Sequence, residues 1–175
     1  MTAAWSFNPD GSYAIAFGTA SGLGYSSYED IFNASGTQLA EARNMNDGSG
    51  ALLLSGAGLT VSSGPGQLGV STGADSFALA AHTAEAVTAS GAVAEVLAYQ
   101  SGFGQSTITG FAATGAAHDV LQVPSAMFAN AATLLGASAQ VGANVQITDP
   151  AGDKITLAGV SLETLAANPG DFKFV

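Results

Sequence analysis

Apolar and polar residues alternate along this chain in short bursts separated by glycine-rich breaks. Between Gly73 and Val123 one phrase recurs. A small polar or acidic residue leads, alternating apolar positions follow, and a Gly- or Ala-rich break closes. Asp75 leads Phe77 and Leu79, Glu85 leads Val87, and Glu95 leads Leu97 and Tyr99. Ser106 then leads Ile108, and Asp119 leads Leu121 and Val123. The phrase returns with Asp153 before Ile155 and Leu157, and with Asp171 before Phe172 and Phe174. Alternation with period two marks half-buried strands. A short strand recurring at near-regular spacing marks a coiled or stacked β architecture.

The first third reads as an antiparallel meander. Tyr13, Ile15 and Phe17 stand at spacing two and share one face of a strand. The plain expectation is that such alternate aromatics form the meander's core. YEDIFNASGTQLAEA, with its Asn-Ala-Ser-Gly turn, predicts a hairpin, and ALLLSG and GLTVSS predict two more strands. Gly64-Pro65-Gly66 is the clearest break, which divides the chain into an N-terminal lobe, 1–72, and a second β unit, 73–175. Pro124 ends the repeated strands, since proline cannot donate to a sheet. Ser125 is placed to cap a helix over Ala126 to Ala139, whose Met127, Phe128, Ala131, Leu134 and Leu135 form an apolar stripe. Asp149 to Asp153 reads as a hairpin turn, Ser161 as the cap of a short helix, and DFKFV as a final strand docked on the sheet. The expected fold is therefore all-β. An antiparallel meander leads into a β-roll or β-solenoid-like stack of short strands, with one C-terminal helix packed on it.

Composition narrows the function classes. The 175 residues carry a formal net charge of −10 and only three basic side chains, Arg43, Lys154 and Lys173. Nucleic acid needs a basic footprint to displace counterions, and anionic membrane surfaces need the same, so neither is an expected partner. No apolar run is long enough to span a bilayer, so membrane insertion is not expected. MTAAWSFNPDGSY has neither a basic region nor a long apolar core and does not read as a cleavable signal peptide. Without cysteine, disulfides and thiolate metal sites are excluded.

The candidate chemistry is sparse. An acidic chain is compatible with calcium, which takes six to eight oxygen ligands. Asn44, Asn46 and Asp47 have the alternate spacing that opens a calcium loop, Asp149 and Asp153 flank a tight turn, and Asp75 and Asp119 lead repeated strands. His82 and His118 are the only histidines, and His118 and Asp119, being adjacent in a strand, point to opposite faces. No GxSxG elbow accompanies them, so the sequence offers no catalytic constellation and an enzyme is not expected. Glu85 and Glu95 read as residues repeating at one corner of successive coils rather than as a carboxylate pair for glycoside hydrolysis. Trp5, Tyr25 and Tyr28, among the N-terminal aromatics, are the candidates for a glycan-binding or adhesive surface.

The second half carries an ordered set of segments: GFGQSTITGF, HDVLQV, MFAN, ANVQITDPAGDKITLAGVSLETL and DFKFV. In this order they resemble the C-terminal domain of bacterial secreted proteins of the repeat-in-toxin (RTX) class. DGSY, SYEDIFNASGTQLAEA and NDGSGALLL are similar to a module associated with the same exported proteins. The resemblance implies export through a type I ABC transporter, an extracellular location, and folding outside the cell assisted by calcium. It implies a secretion signal at the C-terminal end, here Asp171, Phe172, Phe174 and Val175, with Lys173 interrupting. The family's calcium nonapeptide GGxGxDxUx is absent, and its nearest remnant is STGADSFAL. The expected function is a non-catalytic export and folding module, with an extracellular glycan-binding module as the alternative.

Overall fold

The computed structural model describes residues 3–18, 22–56, 58–65, 67–71, 76–79, 82 and 84–175. The chain opens with a five-stranded antiparallel meander: β1 (Ala3–Phe7), β2 (Tyr13–Gly18), β3 (Tyr25–Phe32), β4 (Gln38–Met45) and β5 (Gly50–Leu54). Its turns are closed by short side chains that accept from the backbone two residues on. Asp10 takes the Ser12 amide, Asn33 takes those of Ser35 and Thr37, and Asp47 takes that of Ser49.

From β5 onward the chain crosses repeatedly between two sheets. The successive pairs are β5 and β6 (Thr60–Gly64), then, after a hairpin of β7 (Gln67–Ser71) and β8 (Ser76–Leu79), β9 (Ala84–Thr88) and β10 (Val96–Tyr99). Next come β11 (Gln105–Thr109) and β12 (Val120–Val123). Helix α1 (Ala131–Gly136) and a hairpin of β13 (Ser138–Val141) and β14 (Asn144–Thr148) interrupt the alternation. The last pair is β15 (Lys154–Ala158) and β16 (Phe172–Phe174), separated by α2 (Leu162–Ala167) and a 3₁₀ turn, Pro169–Asp171. The first members of these pairs, β5, β9, β11 and β15, lie side by side and parallel in a ten-stranded sheet. The second members, β6, β10, β12 and β16, lie parallel in a six-stranded sheet. The fold is thus β-rich, with two mixed sheets and two short helices.

Alternation decides what faces inward. In the large sheet Leu52, Val87, Ile108, Leu157 and Val145 are register neighbours in turn, and all are buried. In the small sheet Val61, Leu97, Leu121 and Phe172 form the corresponding column. Both columns belong to one hydrophobic cluster. The expected division between 72 and 73 runs through both sheets, since β5 pairs with β9 and β6 with β10.

Two expectations change. The meander's core is not its aromatic face. Because Leu52 and Leu54 of β5 point into the core, register carries the inner face across Ala40, Ile31 and Ala14, all fully buried. Tyr13, Ile15 and Phe17 occupy the alternate positions and therefore face outward. The helix is also shorter than Ala126 to Ala139. Met127 and Phe128 form a turn whose amides donate to the Pro124 carbonyl, and the helix starts only at Ala131. Asn130 caps it: its side chain accepts from the Thr133 amide, and the Thr133 hydroxyl accepts from the Asn130 amide. Ser138 to Val141 is strand.

Candidate functional site

The leaders of the repeated phrase separate into two columns of different chemistry. Glu85 and Ser106 are register neighbours inside the large sheet, next to Gly50 on one side and Ile155 on the other. Glu95 and Asp119 lie instead at a corner, each one residue before a strand of the small sheet. Glu85 and Glu95 therefore do not repeat at one corner, because successive phrases belong to alternate sheets.

The corner column is a relay of carboxylates accepting backbone amides. Asp119, with 0% exposure, takes the Glu95 amide at 2.9 Å on one oxygen and the Ala112 amide at 2.8 Å on the other. Glu95 takes the Ser90 amide at 3.0 and 3.2 Å. Asp171, in the 3₁₀ turn just before β16, is 2% exposed, and its Oδ1 lies 2.9 Å from His118 Nδ1. Glu95 closes its own crossing, while Asp119 and Asp171 each tie their crossing to a neighbouring one. Burial raises the carboxyls of Glu95, Asp119 and Asp171 above the usual carboxylate range, and the hydrogen bonds they accept pull the other way. Asp171 Oδ2 is buried without a hydrogen-bond partner. An open cleft of about 250 Å³ borders this end, lined by His118, Asp171, Thr114 and the Asn168–Gly170 segment. An imidazole held by a carboxylate is half of a general-base arrangement, but among the described residues no hydroxyl is hydrogen-bonded to His118.

The inner column is a second polar cluster. The Tyr99 hydroxyl spans the two sheets to Ser106 Oγ at 2.7 Å, and burial pushes the tyrosine's pKa well up. Glu85 Oε1 accepts the His82 amide at 2.7 Å, with His82 Nδ1 3.3 Å away. Glu85 Oε2 and His82 Nδ1 have no hydrogen-bond partner. Both press on Gly50, where a Cβ would meet the Glu85 carboxylate and His82 Nδ1.

The residues assigned to calcium from the sequence are scattered. Asn44 donates to Ser27 Oγ, Asn46 donates to the Leu23 carbonyl, and Asp47 accepts from the Ser49 amide and hydroxyl. Asp149 Oδ1 accepts from the amides of Ala151 and Asp153, and Asp153 accepts from that of Gly102. Asp119 belongs to the corner relay, far along the chain from either turn. Asp75 lies outside the described residues. Among the described residues no three His, Cys, Asp or Glu side chains converge on one point. Calcium takes six to eight oxygens, and among these places Asp149 Oδ2 is buried without a hydrogen-bond partner.

The tail residues are brought together. Phe172 is 7% exposed, and β16 pairs with β12 through Phe172 and Phe174. Val175 donates to the Val123 carbonyl and accepts from the Ser125 amide. The aromatics fall into two rows on the outer face of the meander. Trp5 joins Phe7, Tyr13 and Phe32, while Tyr28 joins Phe17 and meets Tyr25 edge-on, with Arg43 over the Tyr25 ring. The pairs Tyr13–Phe32 and Phe17–Tyr28 have centroids 4.9 and 4.8 Å apart and planes within 18° and 19°. Rings that close and that parallel must overlap, so their flat faces turn toward each other rather than to solvent. Sequence reasoning named the tail and the acids but missed the Tyr99–Ser106 bridge and the Gly50 contact, for which no local signal exists. Comparison of the chain with protein-family models, with curated proteins and with solved structures returns no match.

Proposed function

We propose that the chain is a non-catalytic export and folding module of a secreted RTX-like protein, a β-roll-like stack read by a type I ABC transporter and folded outside the cell. One observation carries the reading. From β5 onward the chain alternates between parallel strands of two mixed sheets, and the last crossing ends in the DFKFV strand, which docks on β12. The resemblance of the second half to RTX C-terminal domains gives that geometry its functional sense. The burial of Asp171 and Phe172 adds a condition: a receptor can read these side chains only before the terminal strand docks. The corner acids Glu95 and Asp119 spend their oxygens on backbone amides, while Asp171 bonds His118 through one oxygen. The glycan-binding alternative draws less support, because Tyr28 stacks on Phe17 and Tyr25 lies edge-on to Tyr28 with Arg43 over its ring, which leaves Trp5 as the exposed candidate.

The test is secretion of a fused passenger from cells with a type I transporter. The intact chain is expected in the medium, and removal of Asp171 to Val175 is expected to abolish export. A Leu121→Ala variant, destabilised but with its tail intact, should still be exported, which separates signal loss from misfolding. Undiminished secretion of the truncated chain would overturn the proposal.

A further inference from the structure

Strand β1 ends the ten-stranded sheet, and all five of its residues, Ala3 to Phe7, are exposed. Trp5 is 57% exposed and Phe7 71%. Sheet edges invite pairing, and proteins blunt them with charge, proline, bulges or a covering element. AAWSF has no charge and no proline, and its pairing with β2 is unbroken. Of the other edges, β13 and β16 are better protected. At the far end of the same sheet β13 packs against α1 and α2. In the small sheet β16 carries Lys173 and is tied down at Val175.

The aromatic row stops at this edge. Tyr13 stacks on Phe32, Trp5 stacks on Tyr13 at 5.8 Å, Phe7 lies tilted against Tyr13 at 5.9 Å, and there the described row ends. Among the described residues no ring lies on the outer side of Trp5 and Phe7. The surface therefore fits another strand that brings an aromatic ring to the next position in the ladder.

We propose that the occupant is β1 of a second copy, paired antiparallel about a two-fold axis through Trp5. In that register Trp5 of one copy faces Trp5 of the other, and Phe7 faces Ala3. Ala3, Trp5 and Phe7 share one face of the strand, so directly opposite residues stay on the same side of the joined sheet. A large side chain meets a small one at each end, and the ring stack continues through the axis. The strand is self-complementary in volume and carries no charge to oppose itself.

The size of the patch sets the strength. Aromatic side chains bury roughly 150–250 Å² each. Two partly exposed rings thus give about 200–300 Å² per copy, well short of the roughly 800 Å² per partner of a stable complex. The dimer is therefore weak and concentration-dependent. Each copy carries a net charge of −10, so long-range repulsion opposes association and added salt strengthens it.

The experiment is analytical ultracentrifugation of the whole chain from roughly 10 μM to 1 mM, the range in which weak association appears, at low and at physiological salt. Trp5 is the sole tryptophan, so its fluorescence reports the interface directly. The weight-average mass should climb toward that of a dimer, more steeply in salt, with a parallel blue shift of the Trp5 emission. Trp5→Lys places like charges opposite each other at the axis and should hold the chain monomeric, while Trp5→Phe should retain association. A monomer at every concentration in physiological salt would overturn the proposal and leave the edge to a different partner. So would a dimer that persists in Trp5→Lys, which would place the contact elsewhere.

Discussion

Gly50 is held by its neighbours rather than by a turn. It lies within β5, and its missing side chain is the space into which the Glu85 carboxylate and the His82 ring press. A methyl group there must expel one of them or spread the β5–β9 pairing. Gly50→Ala is expected to cost about 1–3 kcal/mol, the usual range for overpacking a filled site, read as a lower denaturation midpoint at unchanged m-value. Gly110 is constrained differently, since its φ of 83° and the Ala89 carbonyl 2.7 Å from an added Cβ both exclude a side chain. Asp119 is the residue on which the corner most depends. Removing its carboxylate strands two amides, those of Glu95 and Ala112, away from water. Asp119→Ala should cost about 2–6 kcal/mol, from about 1–3 for each of two orphaned donors, seen as a lost transition or a midpoint shifted by the same measurement. A variant as stable as the parent would remove the relay from the account.

At the scale of elements, the terminal strand closes the small sheet on one side. Phe172 is its buried anchor, packed at the end of the Val61–Leu97–Leu121 column. Phe172→Ala is expected to lose about 3–5 kcal/mol, as for other buried Phe truncations, and hydrogen exchange should show β12 amides losing protection first. Strands were the readable part of the sequence, because period-two alternation is local: Val145 and Ile147, Ile155 and Leu157, and Leu121 and Val123 all lie inward as their spacing requires. The allocation of strands to alternate sheets was not readable, because β9 and β10 carry the same phrase and differ only in what they neighbour. The aromatic face was misjudged for a related reason. Tyr13, Ile15 and Phe17 look like a core stripe in isolation, but the parity of the sheet is set by Leu52 and Leu54, four strands away in the ordering from β1. The shortened helix follows from Asn130 and Thr133, a capping pair that outcompetes Ser125 as a start. The candidate site was readable as a list of acids and not as an arrangement, since the partners of Asp119 and Asp171 come from distant segments.

The molecule as a whole is strained by its acids at neutral pH. Burial is the first cause of a raised carboxyl pKa at Glu85, Glu95, Asp119 and Asp171. Between a group's ordinary pKa and its raised value, the folded chain binds more protons than the unfolded one, so stability falls as pH rises. Asp47 runs the other way, lowered by its bonds to Ser49, but its contribution is lost only when pH falls through that lowered value. The net charge of −10 adds self-repulsion that acid also relieves. The melting temperature should therefore rise as pH falls from neutrality toward the ordinary carboxyl pKa, through the window that the raised values open. A melting temperature that falls throughout that range would contradict the assignment of these acids as unfavourably buried. The parallel pairings have a kinetic consequence as well. Each of them joins strands separated by a crossing, so no two neighbours in the parallel columns can meet through a tight turn. Non-local contacts of this kind require loops to close before they return any energy, and folding is correspondingly slow, on the order of milliseconds to seconds. Throughout that interval the alternating strands have open edges, and β1, with neither charge nor proline, offers one of them to a neighbouring chain.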